Sequence, residues 1–197
     1  VSWVYVSIST FGNTHPMIAG TLVLLFAAGL ALIPATVFWF KYRLLGHSQN
    51  WLTIPVFWFL SELARASFLT GFPWLFAGDA HIHTWLSGWA PIIGSYGISF
   101  IVALSASVMW YAYQTKRYSL LGFLILWPIG AWLQTIEWTE PTGKISVSAV
   151  QGNVPQDKKW LPEMFSPTMT SYYKQTTKHL NSDLILWPET AITVTQD

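Results

Sequence analysis

The stretch DLILWPETA at residues 183–191 (Asp183-Leu184-Ile185-Leu186-Trp187-Pro188-Glu189-Thr190-Ala191) decides how the rest of the chain reads. An apolar run of strand length stops at a proline, and a carboxylate follows at once. Proline cannot donate to a strand ladder, so the strand ends there and Glu189 falls just past its C-terminal end. In open α/β sheets that edge is where ligands bind. Glu189 therefore reads as a candidate general base, or else as a solvated loop carboxylate that caps the next helix.

Working outward, residues 145–150 are short and β-branched and read as a strand. Gly152-Asn153-Val154-Pro155-Gln156 reads as a loop. Residues 161–180 read as a helix with Pro162 near its first turn, the alternative being that Pro167 splits it or delays its start. Strand, helix and strand make a βαβ unit, for which a right-handed crossover is expected. A polar linker, 137–144, with Pro141 and Gly143, precedes it.

Upstream the composition changes. Only 10% of the 197 residues are charged and 52% are hydrophobic, against about 25% charged in soluble domains. The 13 Trp, 12 Phe and 8 Tyr suit a membrane protein with aromatic belts. A net charge of +1 without a clustered basic face argues against nucleic acid as a partner. With no cysteine, disulfides, Cys-ligated metals and a cysteine nucleophile are excluded within these residues. Residues 1–12 lack a basic n-region and a cleavage site, so they do not read as a signal peptide. Residues 1–14, with Trp3, Tyr5 and Phe11, read as an interfacial segment or the end of a missing helix. Residues 192–197 stop just after the Glu189 motif, and both ends read as cuts in a longer protein.

Four spans are expected, at 16–40, 51–69, 88–113 and 119–136. The first has no charged side chain and is long enough for a hydrocarbon core of about 30 Å, which takes about 20 helical residues. Lys41 and Arg43, with His47 close by, follow span one, and Lys116 and Arg117 follow span three. Lysine and arginine in short loops mark the cytoplasmic side. The 70–87 loop has neither, so it faces out, and parity puts everything after residue 136 outside the cytoplasm.

Glu62 and Arg65, three residues apart on one helix face, are the ionisable groups within the spans. They read as a mutual pair, as Arg65 snorkelling outward, or as a functional site. His81 and His83 lack a third ligand spaced nearby, a weak metal signal. No metal site and no cofactor is assigned. Lys158-Lys159-Trp160 suits lipid headgroups or an ordinary solvated loop.

Taken in order, five motifs carry a resemblance: Leu69-Thr70-Gly71-Phe72-Pro73-Trp74, Ala90-Pro91-Ile92-Ile93-Gly94 with Gly97-Ile98-Ser99-Phe100, Val150-Gln151-Gly152-Asn153-Val154-Pro155-Gln156, Lys159-Trp160, and Leu186-Trp187-Pro188-Glu189-Thr190-Ala191. Each motif alone is weak, but the ordered set, running from Trp3-Val4-Tyr5-Val6-Ser7-Ile8 to Ala191, resembles bacterial apolipoprotein N-acyltransferase.

The resemblance implies a polytopic α-helical membrane bundle (1–136), the linker, and the start of an extracytoplasmic α/β domain of nitrilase-like αββα type (145–197). It implies a multi-pass protein of the bacterial inner membrane with its catalytic domain on the periplasmic face. An acyl chain would pass from a phospholipid, typically phosphatidylethanolamine, to a cysteine thioester. From there it would pass to the amino terminus of a diacylated apolipoprotein. Glu189 matches the family's general base, and Trp160 matches a tryptophan near its active site. The family's lysine and cysteine would lie beyond residue 197. Phe72 and Trp74 are expected to line the entrance for membrane lipid.

Two other readings remain open on the sequence. One is a different membrane-anchored nitrilase-type amidase or acyltransferase. The other is a transporter-like bundle using Glu62 and Arg65, which calls for inverted repeats that the sequence does not display.

Overall fold

The computed structural model describes residues 2–46 and 50–193. Val1, residues 47–49 with His47, and residues 194–197 lie outside the described residues. The chain is mostly helical and divides into two units: Gly20–Thr139, and residues 2–19 with 140–193.

In the unit Gly20–Thr139 the longest element is α2, Pro16–Leu45, whose first residues belong to the other unit. Its 30 residues rise about 45 Å, more than the hydrocarbon core requires. Leu24, Leu25 and Leu32 are exposed along it, a surface suited to lipid rather than water. At its C-terminal end the Arg43 guanidinium lies 5.9 Å from the centre of the Trp39 ring, the cation-over-aromatic placement of an interfacial turn.

Helix α3, Thr53–Ser67, has 15 residues and measures about 22 Å, shorter than the expected 51–69 span. It stops because Phe68 turns extended and Leu69 and Gly71 take positive φ, 54° and 81°. Helix α4, Ala90–Thr115, continues a 3₁₀ segment, Trp85–Trp89. Gly94 breaks it at φ 62°, ψ −173°, a backbone conformation open to glycine almost alone. The fourth expected span begins as 3₁₀, Tyr118–Ile125, and becomes α-helical only in α5, Leu126–Leu133. By length and composition, two helices among the described residues can cross a membrane, Pro16–Leu45 and Trp85–Thr115, with Tyr118–Leu133 a shorter apolar segment.

Helices α3 and α4 pack together, and Ser99, Ala103, Ser105, Ser107 and Ala112 of α4 are buried. Small side chains let helices approach closely where no water drives their association. Leu86, Ile98 and Ile101 form the apolar centre, with Trp89, Val102, Leu126 and Trp127 around it. Two indoles satisfy their N–H groups inside this packing: Trp89 Nε1 donates to the Leu126 carbonyl (2.8 Å) and Trp127 Nε1 to Ser105 Oγ (3.0 Å).

The other unit begins with a short helix α1, Ser2–Val6, and a π-helical turn, Ser7–Phe11. Its C-terminal part is a βαβ arrangement. Strand β1, Val147–Ala149, pairs in parallel with β2, Leu184–Leu186, in the register Val147↔Leu184, Ser148↔Ile185, Ala149↔Leu186. Between them runs α6, Pro162–Thr176, ending in a 3₁₀ turn, Thr177–His179. Pro162 opens α6, and Pro167 sits inside it without splitting it or delaying its start. Each strand is shorter than the run expected for it, with hydrogen bonds from Leu184 N–H to the Ser146 carbonyl (3.1 Å) and from Val150 N–H to the Leu186 carbonyl (2.9 Å) flanking the three aligned residues.

The two strand starts are tied by a side chain. Ser146 N–H and Oγ donate to Asp183 Oδ2 at 2.8 and 2.7 Å, and Asp183 N–H donates to Ser146 Oγ at 2.9 Å. The Ser146 backbone donor first, and its hydroxyl second, hold the Asp183 carboxyl below its ordinary value. A depressed folded value means the fold favours the ionised form. The stabilisation is therefore present above the ordinary value of about 3.9 and is lost as pH falls through the lowered one. Asp183→Asn is expected to speed amide hydrogen exchange in the strand pair near pH 7. The difference from wild type is expected to vanish in strong acid. An equal difference at both pH values would refute the role of the charge.

Candidate active site

The loops that follow β1 and β2 come together at the carboxyl edge of the parallel pair. Val150 N–H donates to the Leu186 carbonyl at 2.9 Å, so the strands stay joined as they end. Val150, Tyr172 and Ala191 then form a small buried cluster with Met169 and Ile185 against it. Tyr172 stacks on Trp187 at 4.9 Å and 24°, and Trp187 Nε1 donates to Thr176 Oγ1 at 2.9 Å. Gly152 in the β1 loop lies close under the Tyr172 ring, and a Cβ there would have to displace its hydroxyl end.

Glu189 is exposed at the tip of the β2 loop. Its neighbours are fixed although its side chain is not buried. Ala191 N–H donates to the Pro188 carbonyl at 3.2 Å, closing a turn in which Thr190 takes φ 54°. Ala191 anchors that turn in the buried cluster.

The β1 loop reaches across to this turn. Lys158 and Lys159 N–H both donate to the Pro155 carbonyl, at 3.1 and 3.0 Å, and Leu161 N–H donates to the Lys158 carbonyl at 3.1 Å. This tight turn leaves Lys158 and Trp160 exposed and Lys159 half-buried. Lys159 Nζ donates to Thr190 Oγ1 at 2.5 Å and to the Glu189 backbone carbonyl at 3.4 Å. The two lysines thus differ. Lys159 is turned onto the Glu189 loop, while Lys158 stays exposed.

Phe72 and Trp74 belong to the unit Gly20–Thr139. They stack on each other at 6.0 Å and 21°, and Phe72 meets Phe26 of α2 edge-on at 5.4 Å. Beside Phe72 lies a hollow of about 420 Å³ lined by Phe26, Gly29, Leu30 and Ile33 of α2 and by Arg65 and residues 68–72. Trp74 is 56% exposed.

Glu62 and Arg65 hold this loop instead of each other. Glu62 is buried, and its Oε1 accepts from Trp58 Nε1 at 3.0 Å and from the Ala77 N–H at 2.9 Å. Arg65 Nη2 donates to the Leu75 carbonyl at 3.1 Å, and its guanidinium lies 5.3 Å from the Phe76 ring centre. Glu62 Oε2 and Arg65 Nε have no hydrogen-bond partner among the described residues. The mutual pair suggested by their spacing is replaced by two separate contacts to the 70–87 loop. His81 Nδ1 lies 3.2 Å from Thr84 Oγ1, and its ring meets Trp127 edge-on. No group of three or more His, Cys, Asp or Glu is placed to hold a metal among the described residues.

The family model for the apolipoprotein N-acyltransferase N-terminal domain matches residues 1–108, more than half of the chain. The chain belongs to the apolipoprotein N-acyltransferase family. Within it, the chain is 40% identical over 200 residues to the apolipoprotein N-acyltransferase of Shewanella oneidensis, covering 98% of this chain and 38% of the relative. It is 36% identical to that of Methylococcus capsulatus, covering 98% and 40%, and 36% identical to that of Pseudomonas syringae pv. tomato, covering 100% and 41%. The chain spans about two fifths of the length of these curated relatives.

In this apolipoprotein N-acyltransferase family chain, the sequence-expected site residues fall into the two units: Glu189 and Trp160 in one, Phe72 and Trp74 in the other. Sequence reasoning missed the Lys159 contact to Thr190, whose partners are 31 positions apart. The one local signal was a lysine in a tight turn directly before Trp160.

Proposed function

We propose that the full-length protein transfers an acyl chain from a phospholipid such as phosphatidylethanolamine to the N-terminal amine of a diacylglyceryl-cysteine lipoprotein. The chain would pass through a cysteine thioester, with Glu189 as general base. The observation that carries this reading is Glu189 at the carboxyl edge of a parallel strand pair, in a chain of this family. A thiol of ordinary pKa about 8.5 needs a base or a cation beside it to become a strong nucleophile. Glu189 would take its proton and later that of the incoming amine. The acyl-enzyme divides the transfer into two steps, each passing through an oxyanion. The lysine and cysteine of the reaction would come from beyond residue 197.

The nitrilase-like αββα assignment is supported by the strand pair itself. Val147, Leu184 and Leu186 stand exposed, and a two-stranded sheet with a bare apolar face calls for further strands or a second layer. The four apolar runs of the sequence, with Lys41 and Arg43 after the first and Lys116 and Arg117 after the third, support a bacterial inner-membrane location with the catalytic domain on the periplasmic face. Both substrates are anchored in the outer leaflet, and a base tethered at that surface meets them without extracting either. Trp160 follows Lys159 in the chain and is exposed, which fits a place at the rim of the site.

The test uses the full-length protein in detergent micelles with phosphatidylethanolamine and a synthetic diacylated lipopeptide. Triacylated peptide is the expected product by mass spectrometry. Hydrolysis of small amides with no peptide acylation would favour the amidase reading instead. The stacked Phe72 and Trp74 beside the apolar hollow are assigned to the lipid entrance. Their double replacement by Ala is expected to lower acyl-enzyme formation about tenfold, since burying two aromatic rings contributes on the order of 1–3 kcal/mol. It is expected to leave transfer from a preformed acyl-enzyme intact. Unchanged acyl-enzyme formation would contradict the assignment.

A further inference from the structure

Lys159 is half-buried between the exposed Lys158 and Trp160. Its ammonium joins the β1 loop to the β2 loop through the Thr190 hydroxyl and the backbone carbonyl of Glu189 itself. Thr190 is β-branched and sits at φ 54°, a left-handed conformation that such residues rarely hold without outside support. On its far side the turn is anchored through Ala191. On its near side Lys159 makes the side-chain contact that fixes the peptide carrying Glu189. The Glu189 side chain is exposed, so what the surrounding contacts fix is the backbone from which its carboxylate reaches.

We propose that Lys159 is a positioning residue for Glu189: it clamps the Pro188-Glu189-Thr190 turn so that the carboxylate reaches from one fixed backbone position at the strand edge. The inference rests on the reading of Glu189 as general base. Lys159 does not touch the reacting atoms and is distinct from the family's catalytic lysine, which would lie beyond residue 197. A general base must stand within hydrogen-bond reach of its proton, and a misplacement of about 1 Å can cost about a hundredfold in rate.

The experiment measures single-turnover acyl-enzyme formation by intact mass, in the full-length protein in micelles, over a range of phosphatidylethanolamine concentrations. Lys159→Met keeps the stem and removes the ammonium. It is expected to lower the maximal rate about 10- to 100-fold, with the donor concentration at half-maximal rate and the melting midpoint unchanged. Lys159→Arg is expected to restore most of the rate, because a guanidinium can still donate to both oxygens. Thr190→Val combined with Lys159→Met is expected to be no slower than the slower single variant, as for two residues acting through one contact. A wild-type rate for Lys159→Met overturns the proposal. So does a loss confined to donor affinity or melting midpoint, or strict additivity with Thr190→Val. Glu189→Gln separates the two layers. If it keeps the wild-type rate, the general-base reading fails. If it is inactive while Lys159→Met is normal, only the clamp fails.

Discussion

Glu189→Gln in the full-length protein is expected to slow acyl-enzyme formation by about 10²- to 10⁴-fold, the usual contribution of a positioned general base. That range corresponds to about 3–5 kcal/mol of transition-state stabilisation. Glutamine keeps the size and the hydrogen-bonding oxygen but cannot accept the thiol proton. The fold is expected to be indifferent to the change. Glu189 is exposed, and the turn around it is held by the Ala191 N–H, the Thr190 hydroxyl and the Glu189 backbone carbonyl, not by its carboxylate. The melting midpoint should therefore match wild type, which separates a chemical loss from a structural one. Glu163→Gln, an exposed carboxylate in the first turn of α6, serves as the control and should keep full activity.

A large effect on stability is expected at Gly88. There the 3₁₀ segment Trp85–Trp89 crosses α5 with backbone against backbone. A Cβ on Gly88 would overlap the Gly130 carbonyl oxygen and stand 2.9 Å from the Gln134 amide nitrogen. Neither obstacle is a side chain that can rotate away. Gln134 Nε2 also donates to the Thr84 carbonyl and to Ser87 Oγ, both at 2.7 Å, so separating the two elements would break further contacts. Gly88→Ala is expected to cost about 3 kcal/mol, the upper end of ordinary overpacking. The loss should appear as a lowered melting midpoint and aggregation in detergent. Gly122→Ala, in a helical segment with open space around the added carbon, should behave as wild type. A Gly88→Ala protein with an unchanged midpoint would show that the two elements can separate without loss.

Legibility from sequence followed the range of the interaction. The first long helix was readable because the run from Pro16 to Phe40 carries no charged side chain, and it is one helix, Pro16–Leu45. The βαβ order was readable because period and punctuation are local, with Pro188 closing the second strand. The ends of the other spans were not. Helix α3 stops where Leu69 and Gly71 adopt positive φ, and Phe72 N–H then bonds back to the Arg65 carbonyl at 2.8 Å. Nothing in hydropathy reports that reversal. The Glu62 and Arg65 spacing suggested a pair, yet the backbone groups of Ala77 and Leu75 capture them, and those groups are invisible to side-chain pattern. The same holds for Lys159, whose partner becomes a neighbour only after β1 and β2 align. Glu189 was readable as a candidate because its position relative to a strand end is local; what holds it there was not.

The proposed acyl transfer by the full-length protein runs through a covalent acyl-enzyme. The most direct test is the intact mass of the full-length protein incubated with phosphatidylethanolamine in micelles, before and after adding a diacylated lipopeptide. The account predicts a single added acyl mass on one cysteine that disappears as the triacylated peptide forms. No adduct, or an adduct that persists in the presence of the acceptor, would contradict it.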